Sequence, residues 1–284
     1  MELTASEILQ YKQVQKLAYE SVQKVQAEMY VGMTELQAAN RLDQVLENAG
    51  VKNFFHTSFA WFGERSSFTN FKNYFDFQPT EKKLELGMSV ILDTAPAIEG
   101  IPCDIGYAFS FGENPEVDKA IFDLEIFRKI ILDGILAEKT LSLIYSEVEE
   151  VIVDLGYRNC HKFYPAEVLG HKVGKLPFLQ MPSFKILGFH PQTYFYLLGE
   201  TIEGVLPKID LFGNKNVPYW NSTTHHRAEA GIWAVEPHIG KGDIGVKWEE
   251  LLVVSNNSAY WLDDDLPHVN FWKQENMGNL LQSV

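Results

Sequence analysis

Along the first part of the chain, apolar residues recur at three- and four-residue steps before giving way to strand-like runs. Ile8, Val14, Leu17, Ala18, Val22 and Val25 mark one face of an amphipathic helix over residues 6 to about 29. Gly32 ends it. Thr34-Glu35-Leu36-Gln37 is a capping box that opens a second helix, with Leu36, Leu42, Val45 and Leu46 as its buried stripe and Gly50 as its C′ residue. A loop-rich aromatic stretch over 54–77 leads to a strand at Met88–Thr94. A turn around Ile98-Glu99-Gly100 then predicts a hairpin whose second strand covers 104–111.

The order then starts again. One helix is expected over 115 to about 136, another over 141–155 with Gly156 as its stop, and strands over 231–236 and 246–255. Two helix-helix-strand halves predict an α+β fold. No linker of Pro/Gly/Ser composition separates them, so residues 1–284 read as one unit. Residues 177–224 form an irregular insertion, long for a structureless loop, which suggests a lid, a dimer contact or a small subdomain.

Composition narrows the partners. Against 38 Asp+Glu stand 24 Lys+Arg, a formal net charge of −14, and no basic run exceeds Lys82-Lys83. Nucleic acid and an anionic membrane surface are therefore excluded as main partners, since phosphate binding needs clustered Lys/Arg. A hydrophobic content of 46% suffices for a packed core. Cys103 and Cys160 build neither a disulfide framework nor a zinc ribbon and fit a reducing compartment. With no secretory signal in the opening residues and no apolar run near the ~20 residues of a spanning helix, the expectation is a cytoplasmic protein.

Chemistry enters at the hairpin. A turn centred between Ile98 and Glu99 places Asp93 directly opposite Asp104, and like charges in a cross-strand pair repel. Asp93 also follows the apolar run Val90-Ile91-Leu92, where an ionised carboxylate is costly unless compensated. Either a cation sits between the two, or the turn is placed differently and one aspartate faces solvent. Glu236 ends the apolar run Ile232-Trp233-Ala234-Val235, and alternation puts Glu249 on the face of Leu251 and Val253, with Glu250 on the other. With one histidine added, these acids would make an oxygen-rich site suited to Mn, Fe, Co or Zn.

The segments Leu92-Asp93-Thr94-Ala95-Pro96, the stretch from Cys103-Asp104 to Gly112, Gly170-His171-Lys172-Val173-Gly174, Ala234-Val235-Glu236-Pro237 and the stretch from Gly245 to Val254 resemble the methionine aminopeptidase/prolidase family. The similarity spans nearly the whole chain and implies that family's pita-bread fold, with a central metal cleft. It implies two divalent metal ions (Mn, Co, Fe or Zn) held by Asp93, Asp104, His171, Glu236 and Glu249. Asp104 and Glu249 would bridge, and Glu236 would also shuttle a proton. The reaction implied is hydrolysis of a short Xaa-Pro peptide by metal-bound hydroxide, with a homodimer as the expected assembly. The leaning towards Xaa-Pro substrates rests on the Asp-Thr-Ala-Pro and Trp-Glu-Glu segments.

The similarity lapses at two further histidines. The positions where the family places its non-ligand histidines fall near Asn70 and on Phe178, assigned here to substrate binding. His56 and His226 are the candidate catalytic replacements, with His225 as a neighbouring substrate contact. Arg65 and Arg227 could clamp a substrate carboxylate. The same fold also hosts amidinohydrolase- and lyase-type enzymes, so a non-peptide small molecule is the rival substrate, and a non-catalytic binding module is a third reading.

Overall fold

The computed structural model describes residues 3–175 and 218–282 of the chain. Most of the insertion expected at 177–224, Phe178 included, lies outside the described residues. Helices α1 (Ala5–Glu28) and α2 (Glu35–Asn48) each begin with a complete capping box, Thr4 with Glu7 and Thr34 with Gln37. Strands β1 (Asn53–Phe54) and β2 (Phe59–Phe62) follow, then β3 (Met88–Thr94), β4 (Pro96–Ile98), β5 (Ile101–Pro102) and β6 (Ile105–Phe111).

The second half carries α3 (Pro115–Asp123), α4 (Glu125–Leu136), α5 (Leu141–Asp154), β7 (Arg158–Asn159), β8 (Gly170–Val173) and β9 (Tyr219–Trp220). It ends with β10 (Gly231–Val235), β11 (His238–Lys241), β12 (Ile244–Val254), β13 (Ala259–Trp261) and α6 (Pro267–Gln282). The single helix expected over 115–136 is thus two. The indole of Trp272 donates to the Ile121 carbonyl at 2.8 Å, and that carbonyl would otherwise accept from residue 125. Trp248 likewise donates to the Leu124 carbonyl at 3.2 Å. Two indoles therefore take the acceptors that an unbroken helix needs.

Among the described residues, one sheet runs in the order β2-β3-β6-β12-β10-β8-β9, with β11 and β13 also paired to β12 and β7 to β11. Strand β12 is its axis. Its first residues form a hairpin with β11 and its last pair with β10 and β13, and between them Trp248 and Glu249 meet β6. Helix α1 lies against this strand: Tyr19 Oη donates to the Glu249 carbonyl at 2.6 Å and the Leu251 amide donates to Gln15 Oε1 at 2.7 Å. The apolar core joins both halves of the chain, from Tyr11, Val22 and Leu42 through Ile91 and Phe127 to Trp233, Trp248 and Leu252. No helix among the described residues is long and apolar enough to cross a membrane.

The hairpin turns one residue later than its spacing predicts. Glu99 (φ +50°) and Gly100 (φ +80°) form its tip, the two positive φ values of a type I′ turn whose twist suits the flanking strands. Asp93 consequently lies opposite Gly106. Asp104 stands two residues before Gly106, just ahead of β6. A slip of two residues preserves the face that each side chain occupies, which is why both aspartates still point the same way.

Candidate metal centre

Five elements converge on one buried cluster. Asp93 comes from β3, Asp104 from the link into β6, His171 from β8, Glu236 from the end of β10, and Glu249 from β12. The link between β1 and β2 adds His56. All four carboxylates are buried, as is His56, while His171 is half-buried. Gly170 is what lets β8 come so close to β10: a Cβ there would stand 2.5 Å from the Ala234 carbonyl.

Asp104 is the shared member. Its Oδ1 is 3.2 Å from His56 Nε2 and its Oδ2 is 3.3 Å from His171 Nε2. His56 Nε2 also faces Asp93 Oδ1 at 3.7 Å, and His171 Nε2 faces Glu249 Oε1 at 4.0 Å. Two groups able to hold a metal follow, His56 with Asp93 and Asp104, and Asp104 with His171 and Glu249. Hard carboxylate oxygens with one imidazole per group suit Mn, Fe, Co or Zn. The residues present fit divalent cations.

The side chain that sequence reading passed over is Lys247. Its Nζ donates to Asp93 Oδ2 at 2.7 Å, Glu249 Oε2 at 2.8 Å and Glu236 Oε2 at 2.9 Å, and it stands 5.0 Å from the ring centre of Tyr164. Three donors meeting three carboxylates is the complement of an ammonium group. The signal was available, because alternation along β12 places Lys247 on the same face as Glu249.

Electrostatics describe a cluster over-supplied with negative charge. Burial, reinforced by the neighbouring carboxylates, pushes Glu249 well above the usual carboxylate range, and burial raises Glu236 against the pull of Lys247. Burial alone would lower His56, but the charge of Asp104 and its hydrogen bond prevail and lift it to about 9. Asp104 is held low, the charge of His56 and the hydrogen bonds from both histidines outweighing burial. Lys247 is raised against burial by Asp93, Glu236 and Glu249. Added positive charge is therefore favoured within this cluster.

The family model of the M24 metallopeptidases matches residues 10–256. The chain belongs to metallopeptidase family M24. No curated protein matches it. Among solved structures, this M24 chain is similar to an X-Pro aminopeptidase from Thermotoga maritima MSB8, at 20% identity and a TM-score of 0.67 over 94% of this chain and 63% of that one. A dipeptidase, PepE, from Mycobacterium ulcerans gives 19% identity and a TM-score of 0.66 over 94% and 60%. A dipeptidase from Pyrococcus horikoshii OT3 gives 18% and 0.65 over 92% and 61%. The M24 chain thus spans about three-fifths of the length of these structures and shares their pita-bread fold.

The remaining sequence candidates sit elsewhere. Asn70 is exposed in the turn after Phe68. His225 Nδ1 pairs with Ser142 Oγ at 3.0 Å, and the His226 carbonyl accepts from the Leu141 amide at 2.9 Å, so both belong to the start of α5. No contact joins either to the carboxylate cluster among the described residues. Arg65 is tied to Glu35 at 2.8 Å and to the carbonyls of Asp76 and Gln78, a structural role, and Arg227 pairs with Glu138 at the surface. Glu250, on the opposite face of β12 from Glu249, binds Arg128 and His268 instead.

Beside Asp104 and His171 lies a narrow recess with room for about one water molecule, walled by Phe55, Pro102 and Val173. Phe55 stacks on the His171 imidazole with ring centres 6.3 Å apart.

Proposed function

We propose that this M24 chain is a two-metal hydrolase of the aminopeptidase/dipeptidase class that cleaves short Xaa-Pro peptides. The observation that carries the reading is the pair of carboxylate–histidine groups sharing Asp104 beside the Phe55–Pro102 recess. The similar solved structures include an X-Pro aminopeptidase and a prolidase from Pyrococcus furiosus, which supports an Xaa-Pro substrate.

Asp93, Asp104, His171, Glu236 and Glu249 would hold the ions, which when bound polarise a carbonyl and ease deprotonation of water at neutral pH. The chain's own residues do the rest. Glu236, raised by burial and steadied through Oε2 by Lys247, is suited to carry a proton between the attacking water and the departing amine. Phe55 and Pro102 offer apolar walls beside Asp104 and His171 that limit the access of water. The reading includes a homodimer, which light scattering would check.

The test is turnover. Protein loaded with Mn or Co is offered Xaa-Pro dipeptides, longer Xaa-Pro peptides and peptides lacking proline. Hydrolysis confined to the first two is expected, and no peptide turnover by a folded, metal-loaded sample would remove the assignment. One observation favours a second reading: Asn70, exposed, stands where the family resemblance expects a substrate-orienting histidine. Turnover of small amidines or esters without any peptide hydrolysis would support a non-peptide substrate.

A further inference from the structure

His56 and His171 stand in matching arrangements on the two sides of Asp104. His171 Nδ1 faces the carbonyl of the next residue, Lys172, at 3.4 Å, and its Nε2 is aimed at Asp104 Oδ2 and Glu249 Oε1. His56 Nδ1 faces the carbonyl of its own next residue, Thr57, at 2.8 Å, and its Nε2 is aimed at Asp104 Oδ1 and Asp93 Oδ1. A carbonyl only accepts, so Nδ1 carries the hydrogen in each ring and Nε2 is the atom presented to the carboxylates. A backbone carbonyl on one nitrogen, fixing the tautomer and aiming the other nitrogen, is the usual support of an imidazole that binds a metal.

Lys247 strengthens the parallel. It engages Oδ2 of Asp93 and Oε2 of Glu249, so the other oxygens, Oδ1 and Oε1, are the ones turned towards the two histidines. Glu236 is drawn to Lys247 as well. Phe59, 5.1 Å from the His56 ring, and Phe55 back the imidazole with apolar surface, which keeps its direction fixed.

We propose that His56 is a metal ligand, completing one ion's shell with Asp93 and Asp104 while His171 and Glu249 complete the other's with Asp104. Each ion then has one imidazole, and Asp104 gives one oxygen to each. This assignment replaces the catalytic role expected for His56 from the sequence and adds an imidazole to the five ligands already named, Glu236 among them. It rests on the reading of the cluster as a metal centre, and it does not depend on which substrate is cleaved.

Cobalt(II) is the probe. Equilibrium dialysis with elemental analysis is expected to give two cobalt ions per wild-type chain and one for His56→Ala, with one also for His171→Ala. Proton NMR of the cobalt-loaded wild type is expected to show two exchangeable, strongly shifted imidazole N–H signals, one per ligand histidine. Two ions retained by folded His56→Ala, or a single shifted imidazole signal in the wild type, overturns the assignment. Should His56→Ala fail to fold, the wild-type spectrum decides alone. A wild type that binds no cobalt removes both this assignment and the metallohydrolase reading. If stoichiometry falls from two to one in His56→Ala while no peptide is cleaved, only the peptidase reading fails.

Discussion

Gly106 leaves the space that Lys247 fills: a side chain at 106 would bring its Cβ to 3.0 Å from Nζ and closer still to Cε. Gly106 is also the cross-strand partner of both Asp93 on β3 and Glu249 on β12. Three neighbouring strands thus present acid, glycine, acid in one row, and the ammonium group of Lys247 lies over the gap. A residue with any side chain at the middle position would push the cation out of reach of its carboxylates.

Gly106→Ala is accordingly expected to be destabilising by about 1–3 kcal/mol, the usual range for overpacking a well-filled site. Urea unfolding of the metal-free protein measures it. An unchanged midpoint would mean that Lys247 has slack to move aside, and that its fit against Gly106 is unimportant.

Lys247→Met removes the donor that three buried carboxylates share. Breaking a buried ion pair by deleting one partner costs about 3–5 kcal/mol, because the remaining charge stays buried without compensation. The metal-free variant should lose about that much stability. Divalent ions supply positive charge to the same cluster, so added Mn should narrow the gap between variant and wild type. Paired unfolding curves with and without Mn test this, and an equal loss in both conditions would count against electrostatic compensation.

Much of this site was legible in the chain because burial leaves a clear mark on strands: an isolated acid directly after Val90–Leu92 or Ile232–Val235 stands out against its neighbours. Asp93, Asp104, Glu236 and Glu249 stood out in this way, whereas His171 was supplied by the family resemblance, and all five meet in the structure. Two things were not legible. The hairpin tip depended on Glu99 accepting a positive φ, which its side chain does not advertise, so Asp93 faces Gly106 and not Asp104. The break at Leu124 came from Trp248 and Trp272, more than a hundred residues away, claiming helix carbonyls. Long-range competition for an acceptor has no local signature. Lys247 was legible by alternation, but a lysine in a strand reads by default as a solvated residue.

The opposite face of β12 makes a control. Glu250 is fully buried and accepts from Arg128 Nε at 2.7 Å and pairs with His268 Nε2 at 3.2 Å. Arg128 also lies over the Trp261 ring. Glu250→Gln should cost about 3 kcal/mol of stability, since Arg128 loses its buried partner while keeping exposed Asp264. Its cobalt stoichiometry should match wild type, whereas Glu249→Gln should bind less cobalt. A fall in stoichiometry for Glu250→Gln would show that the two faces are coupled through the strand.

Acid sensitivity should trace in part to His161. This imidazole is wholly buried against Tyr145, and neither ring nitrogen has a hydrogen-bond partner among the described residues. Burial, with a small contribution from Lys162, lowers its pKa to about 3. The unfolded chain takes up a proton on this residue near its ordinary value of about 6.5, while the folded chain refuses it until far lower pH. Stability is therefore unaffected above that ordinary value and falls as pH drops from there towards 3, by about 1.4 kcal/mol per pH unit from this one residue. His161→Phe keeps an aromatic ring against Tyr145 and removes the titration. Unfolding free energies measured at several pH values between 6 and 4 should show a slope shallower by one proton than wild type. An identical slope would mean that the folded protein already protonates His161 in that range.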